Sequence, residues 1–127
     1  MPHKILVVDD DKVHVKLVKS GLVSAGYSVI VAFDGEEGFE KVKSENPDLI
    51  VLDIGMPKMN GYEFMTELKS LQGFETTPTI VLTVNETLED VLKLEGIKAY
   101  SIKPVKILAL IDKIQECIGL NPGGTEE

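Results

Sequence analysis

The chain has 127 residues, of which 13 are basic and 21 acidic, so its formal net charge is −8 at pH 7. This length predicts one domain, and the acidic excess argues against nucleic acid or an anionic membrane surface as a direct partner. The longest apolar runs have five residues, far short of the ~20 that span a bilayer. With one cysteine, Cys117, these features predict a reduced, cytoplasmic protein.

Short apolar segments rich in β-branched residues recur along the chain. Most are continuous runs without polar alternation, which is typical of strands buried on both faces of a parallel sheet. They predict five strands, at 5–8, 29–33, 49–52, 79–82 and, more weakly, 99–102.

Segments with helical spacing alternate with these strands. The first carries apolar residues from Val15 to Ala25 and stops at Gly26. Asp34 is the predicted cap of the second, with Glu37 in the position of a capping box. The other predicted helices are 61–71, 86–95 and 107–118. Strands and helices in strict alternation predict a doubly wound α/β fold with a five-stranded parallel sheet.

Polar residues follow the predicted strands at their carboxyl ends. The first strand leads into Asp9, Asp10 and Asp11, and the third into Asp53. The fourth strand leads into Thr83, and the fifth into Lys103 and Pro104. Ligands of open α/β sheets bind beyond this edge, so we expect these side chains to converge there.

Carboxylates brought together repel one another unless a cation lies among them. Oxygen ligands without histidine or cysteine favour Mg²⁺, with Mn²⁺ as the alternative. His3 and His14 lie outside this set, and we predict that both are surface residues. A carboxylate beside a metal, a hydroxyl and an ammonium group indicates phosphoryl chemistry, in which the carboxylate is the nucleophile.

Four ordered motifs carry a family resemblance: ILVVDDD at 5–11, PDLIVLDIGMPKMNGYE at 47–63, TIVLT at 79–83 and AYSIKP at 99–104. They resemble the receiver domain of bacterial two-component response regulators, from about residue 4 to residue 118. The resemblance implies the flavodoxin-like (βα)5 fold. It divides the chain into a receiver domain, 1–120, and a tail or truncated linker, 121–127.

The resemblance also implies a metal site and a phosphorylation site. Asp53 corresponds to the phosphoacceptor. Asp10 corresponds to the direct ligand of Mg²⁺, and Asp9 to a ligand acting largely through water. Asp53 itself and the carbonyl of Gly55 complete the implied protein ligands. For Asp11, a helix cap is the preferred interpretation.

Lys103 resembles the lysine that pairs with the acceptor carboxylate, and the resemblance implies a cis bond between Lys103 and Pro104. Thr83 resembles a hydroxyl that follows the phosphoryl group, and Tyr100 an aromatic residue that turns inward with it. Two features depart from the family. The interval from Thr83 to Lys103, 20 positions, is shorter than expected, and Val84 stands where a smaller residue is usual.

The function implied is a phosphoacceptor switch, not an enzyme, although it assists its own phosphorylation and dephosphorylation. Its implied partners are a sensor histidine kinase or a phosphotransfer protein, and beyond them an output domain, a partner protein or a second copy on activation. Two alternatives stay open. One is a haloacid-dehalogenase-like phosphatase, with Asp9 as nucleophile and Asp11 as acid/base. The other is a docking module that is never phosphorylated.

Overall fold

The chain alternates strands and helices from its first element onward. The computed structural model describes residues 2–55, 61–74, 77–83 and 97–119. Over these ranges the strands are β1 (Lys4–Val8), β2 (Ser28–Ala32), β3 (Leu49–Asp53), β4 (Thr79–Thr83) and β5 (Ile97–Ile102), and the helices are α1 (Lys12–Ser24), α2 (Gly35–Glu45), α3 (Gly61–Ser70) and α4 (Ile107–Ile118). The predicted helix at 86–95 and the predicted tail at 121–127 lie outside the described residues.

All five strands form one parallel sheet in the order β2-β1-β3-β4-β5. This is the strand order of the flavodoxin-like fold, as predicted. The chain moves outward from β1 to β2 and then returns to the other side of β1. A ligand crevice therefore opens between the carboxyl ends of β1 and β3, where the direction of winding changes.

The sheet is covered on both faces, which is why its inner strands carry no polar alternation. Residues 4 to 8 turn alternately to the two sides. Ile5 and Val7 pack in the cluster that includes residues of α1 and α4, whereas Leu6 and Val8 pack in the cluster with residues of α2 and α3. The edge strand β5 alternates between half-buried and exposed residues, so its apolar signal is weaker and it starts two residues before its predicted bound.

Side-chain caps fix the starts of two helices. Asp11 Oδ1 accepts hydrogen bonds from the backbone N–H groups of Val13 and His14, each at 3.1 Å. Asp34 accepts the N–H of Glu37 at 2.7 Å, and the Glu37 carboxylate accepts the N–H of Phe33 at 2.7 Å. Both predicted caps are confirmed. Within the described ranges, no helix is long and apolar enough to cross a membrane.

Candidate functional site

Three carboxylates meet at the crevice between β1 and β3. Asp53 ends β3, and Asp9 and Asp10 directly follow β1. The two strands are adjacent, with Val8 paired with Leu52, so the residues after them leave the sheet at the same edge. One oxygen from each of the three carboxylates lies within 4.8 Å of the others. The predicted convergence of these acids is confirmed.

Lys103 reaches the same crevice from beyond β5. Its Nζ lies 3.2 Å from Asp53 Oδ2 and 3.4 Å from Asp9 Oδ2. The backbone N–H of Lys103 donates to the carbonyl of Thr83 at 2.8 Å, which fixes the chain where its side chain departs. The Lys103–Pro104 peptide bond is cis, as expected. The ammonium group thus bridges two acids that are far apart in sequence.

Gly55 leaves the Asp53 carboxylate uncrowded. Its backbone N–H donates to Asp53 Oδ1 at 2.8 Å, so one oxygen of Asp53 is fixed by Gly55 and the other contacts Lys103. A Cβ atom at Gly55 would lie 3.2 Å from Asp53 Oδ1, closer than is usual for such a contact. Glycine therefore keeps this side of Asp53 open. A ligand role for the Gly55 carbonyl stays a prediction.

The two residues of the predicted switch pair lie on neighbouring strands. Thr83 is buried at the carboxyl end of β4, and Tyr100 lies on β5 with 36% of its surface exposed. Tyr100 pairs with Val81 along the strands. Their coupled movement stays a prediction, and Val84 lies outside the described residues.

Burial and mutual charge act in opposite directions on the two inner acids. For Asp53, burial is the largest effect and raises the pKa above its ordinary value; the Gly55 N–H lowers the pKa, Asp9 raises it, and Lys103 lowers it. For Asp9, burial alone would raise the pKa, but the Asp11 N–H and then His14 lower it below the ordinary value. Asp9 is therefore the acid that the fold keeps ionised, whereas ionised Asp53 is disfavoured.

Lys103 remains a cation in this setting. Burial would lower its pKa, but the two carboxylates outweigh that effect, first through Asp53 and then through Asp9, so the pKa lies above its ordinary value. Among the described residues, the crevice therefore holds three carboxyl groups and one ammonium group, and this acidic excess suits a divalent cation.

The prediction that His14 is a surface residue is wrong. His14 is buried on α1, and its Nδ1 lies 2.6 Å from Asp9 Oδ2. The cap by Asp11 starts α1 directly after the acids, so residue 14 falls in the first turn, above the crevice. The spacing of His14, Val18 and Leu22, four residues apart, places all three on the inner face of one helix. This spacing is the feature of the sequence that could have indicated that His14 is buried.

The donor set at the crevice fits Mg²⁺. All three candidate ligands are carboxylates, which Mg²⁺ prefers, and their oxygens are close enough to share one ion. Asp10 is exposed and Asp9 fully buried, so the ion would have both protein and solvent on its boundary. Mg²⁺ usually retains several waters, and a site open on one side allows this.

Comparison with known proteins gives a consistent result. Residues 5–115 match the family model described as response regulator receiver domain. The alkaline phosphatase synthesis transcriptional regulatory protein PhoP of Bacillus subtilis is 44% identical over 106 residues. These cover 82% of this chain and 43% of that regulator, so the chain spans less than half the length of this relative.

Two solved structures show the same fold. The chemotaxis protein CheY4 of Vibrio cholerae matches with a TM-score of 0.86 and 30% identity, over 92% of this chain and 99% of that one. The receiver domain of a sensor histidine kinase from Pseudomonas aeruginosa PAO1 matches with a TM-score of 0.85 and 28% identity, over 94% and 99%. The latter holds a magnesium ion in its active site cleft.

Proposed function

This chain belongs to the response regulator receiver family of two-component systems, and we propose that it is a signalling switch phosphorylated on Asp53. The observation that carries the proposal is the contact of a buried acceptor carboxylate with Lys103, beside two further acids, at the winding reversal of the sheet. We expect it to act in the cytoplasm, with residues 1–120 as the receiver domain and 121–127 as a tail or linker.

In the proposed reaction, a carboxylate oxygen of Asp53 attacks the phosphorus of a phosphohistidine on the donor protein. The new P–O bond forms as the P–N bond breaks, and the electron pair of the broken P–N bond stays on the imidazole nitrogen. Lys103 Nζ, 3.2 Å from Asp53, is placed to neutralise charge on the transferred group. The Thr83 hydroxyl would donate to another of its oxygens.

The proposed cofactor is Mg²⁺, with Mn²⁺ as the alternative. When bound, it would neutralise charge on the phosphoryl oxygens. Exposed Asp10 is the expected direct ligand, along with Asp53 and the Gly55 carbonyl. Asp9 already accepts hydrogen bonds from Asp11 and His14, which supports its assignment as a ligand that acts through water.

The proposed output depends on a small rearrangement at β4 and β5. Thr83 would move toward the phosphoryl group. Tyr100, which is partly exposed on β5, would then fill the space that Thr83 leaves. Such a switch needs only to bias two nearby states. A histidine kinase or phosphotransfer protein would be the donor. The state would be read by an output domain, a partner protein or a second copy.

The phosphatase alternative needs Asp9 as an accessible nucleophile and Asp11 as a proton donor. Asp9 is fully buried, and Asp11 uses a side-chain oxygen to cap α1. These contacts argue against both roles. Turnover of a phosphomonoester that is lost in Asp9→Asn and retained in Asp53→Asn would favour that alternative.

Incubation with acetyl phosphate and Mg²⁺, followed by intact-mass and peptide mass spectrometry, tests the proposal. We expect one phosphoryl group on wild type and none on Asp53→Asn. Asp48→Asn is the matched control, because it makes the same change at a partly exposed side chain, and its adduct is expected to be unchanged. No adduct on wild type, or the same adduct on Asp53→Asn, would falsify the proposal. If Mg²⁺ binding also fails at millimolar concentration, the docking-module alternative is favoured.

A further inference from the structure

We propose that His14 is a positioning residue. It holds the Asp9 carboxylate in place, so that the Lys103 ammonium is available to contact Asp53. The inference rests on the proposed phosphoacceptor function of the crevice. It assigns a task to a buried side chain of α1 that neither the motifs nor the family resemblance singled out.

Two donors hold the Asp9 carboxylate from two directions. The His14 ring nitrogen Nδ1 lies 2.6 Å from Oδ2, and the backbone N–H of Asp11 donates to Oδ1 at 2.9 Å. Both residues of the His14–Asp9 pair are buried. With His14 on one oxygen and the Asp11 N–H on the other, the plane of the carboxylate is fixed, and the contact of only 2.6 Å indicates a strong, charge-assisted bond.

The protonation of the ring follows from its surroundings. An ionised carboxylate only accepts hydrogen bonds, so the proton of the pair is assigned to Nδ1. The other ring nitrogen, Nε2, is buried and has no hydrogen-bond partner among the described residues. The bond to Asp9 is thus the polar contact that offsets the cost of burying this ring.

The bond matters because Lys103 has two acids within reach. Lys103 Nζ lies 3.2 Å from Asp53 Oδ2, but 3.4 Å and 3.5 Å from the two oxygens of Asp9. Asp9 is therefore held mainly by His14 and the Asp11 N–H, and the ammonium lies closer to Asp53. Without His14, the buried charge of Asp9 would attract Lys103 away from the acceptor.

The same bond prepares the metal site. Hydrogen bonds to a ligand carboxylate set its orientation, and losing such a partner typically weakens metal binding by about 10- to 100-fold. We expect the lower end of this range for His14, about tenfold, because the Asp11 N–H still holds the other oxygen of Asp9.

Three substitutions separate positioning from packing. Asn carries its amide N–H₂ near the place of Nδ1, so His14→Asn keeps the donor, whereas His14→Gln moves it and His14→Leu removes it. Mg²⁺ affinity is measured by isothermal titration calorimetry, with folding checked by circular dichroism. We expect binding about tenfold weaker for Leu and Gln than for wild type, and near-wild-type binding for Asn.

A double-mutant comparison tests the partner. In an Asp9→Asn background, the change from His14 to Leu is expected to have no further effect on Mg²⁺ affinity, since its bonding partner is already altered. Additive effects would overturn the inference. Should His14→Leu fail to fold, the difference between Asn and Gln at position 14 decides, and equal affinity of these two would overturn it as well.

These outcomes are distinct from failure of the proposed function. If wild type neither binds Mg²⁺ nor takes up a phosphoryl group, the proposed function fails. If wild type does both and His14→Leu binds Mg²⁺ equally well, only the role of His14 is rejected.

Discussion

Lys103→Met tests the electrostatics of the crevice most directly. It removes the ammonium that lies 3.2 Å from Asp53 and 3.4 Å from Asp9 and keeps a long side chain in its place. Both acids are buried, with Asp9 at 0% and Asp53 at 3% exposure. Their charges then face each other without the Lys103 ammonium between them.

The structure bounds the expected loss of stability. A charge pair at 3.2 Å is worth about 5 kcal/mol at an effective dielectric constant of 20. The variant can avoid that loss by taking up a proton on one acid. Protonating an acid of ordinary pKa 3.8 at pH 7 costs about 4 kcal/mol, at 1.36 kcal/mol per pH unit. We therefore expect metal-free Lys103→Met to lose about 3–4 kcal/mol of unfolding free energy at pH 7.

The loss must shrink in acid. Because uptake of one proton sets the cost, the loss falls by about 1.4 kcal/mol per pH unit, to about 0.5 kcal/mol or less at pH 4.5. Lys103 stays charged in wild type throughout this range, since its pKa lies above 10.5. The stability that its raised pKa contributes is fully present below 10.5 and is lost only as the pH rises through the higher, folded-state value.

Urea unfolding with a chelator at pH 7 and pH 4.5 measures both values. Lys106→Met is the matched control, because Lys106 is exposed and loses the same charge nearby, and its effect is expected to stay within about 0.5 kcal/mol. A loss for Lys103→Met that is equal at the two pH values, or absent at pH 7, would refute the reasoning.

Three further unfolding measurements in urea follow from the same structure. The fold raises the pKa of Asp53, chiefly by burial, so ionised Asp53 destabilises the metal-free protein. Asp53→Asn is therefore expected to unfold at a higher urea concentration than wild type at pH 7, and this gain is expected to disappear below pH 3.8, where the acid is protonated in both states; an unchanged or lower midpoint at pH 7 would contradict the raised pKa. Asp11→Ala removes the cap of α1 and is expected to lose about 1 kcal/mol; an unchanged midpoint would contradict the cap. Gly21→Ala would press a methyl group into Ile107 across the contact of α1 with α4, at a cost of about 1–3 kcal/mol of unfolding free energy. Adding Ile107→Ala is expected to recover part of this loss. A further loss of full size in the double variant would contradict the contact.

The sequence was a sufficient guide wherever burial is complete. β1, β3 and β4 are continuous apolar runs because both faces of the sheet are covered, and a continuous run is visible without knowing its neighbours. The edge strand β5 has one covered side, and its alternating pattern obscured its start at Ile97. Helix starts were predictable because Asp11 and Asp34 act locally.

The site was predictable as a set of residues but not as a set of contacts. That Asp9 and Asp53 share one edge follows from parallel strands and their order. That His14, and not a solvent molecule, holds Asp9 depends on how α1 lies over the sheet, which no local pattern specifies. A polar residue in an otherwise apolar helical stripe, such as His14 above Val18 and Leu22, is nevertheless a visible anomaly.

The opposite pKa shifts of Asp9 and Asp53 give the two acids different charge states in the crevice. Asp9 accepts hydrogen bonds from His14 and from the Asp11 N–H, and its lowered pKa keeps it ionised beside Lys103. Asp53 has a raised pKa, so its ionised form is the one that the fold disfavours. Under the proposed function, phosphorylation would replace its single charge with a group of nearly two charges. Lys103 would then shift further from Asp9 toward Asp53, and Asp9, still hydrogen-bonded to His14, would not need to move.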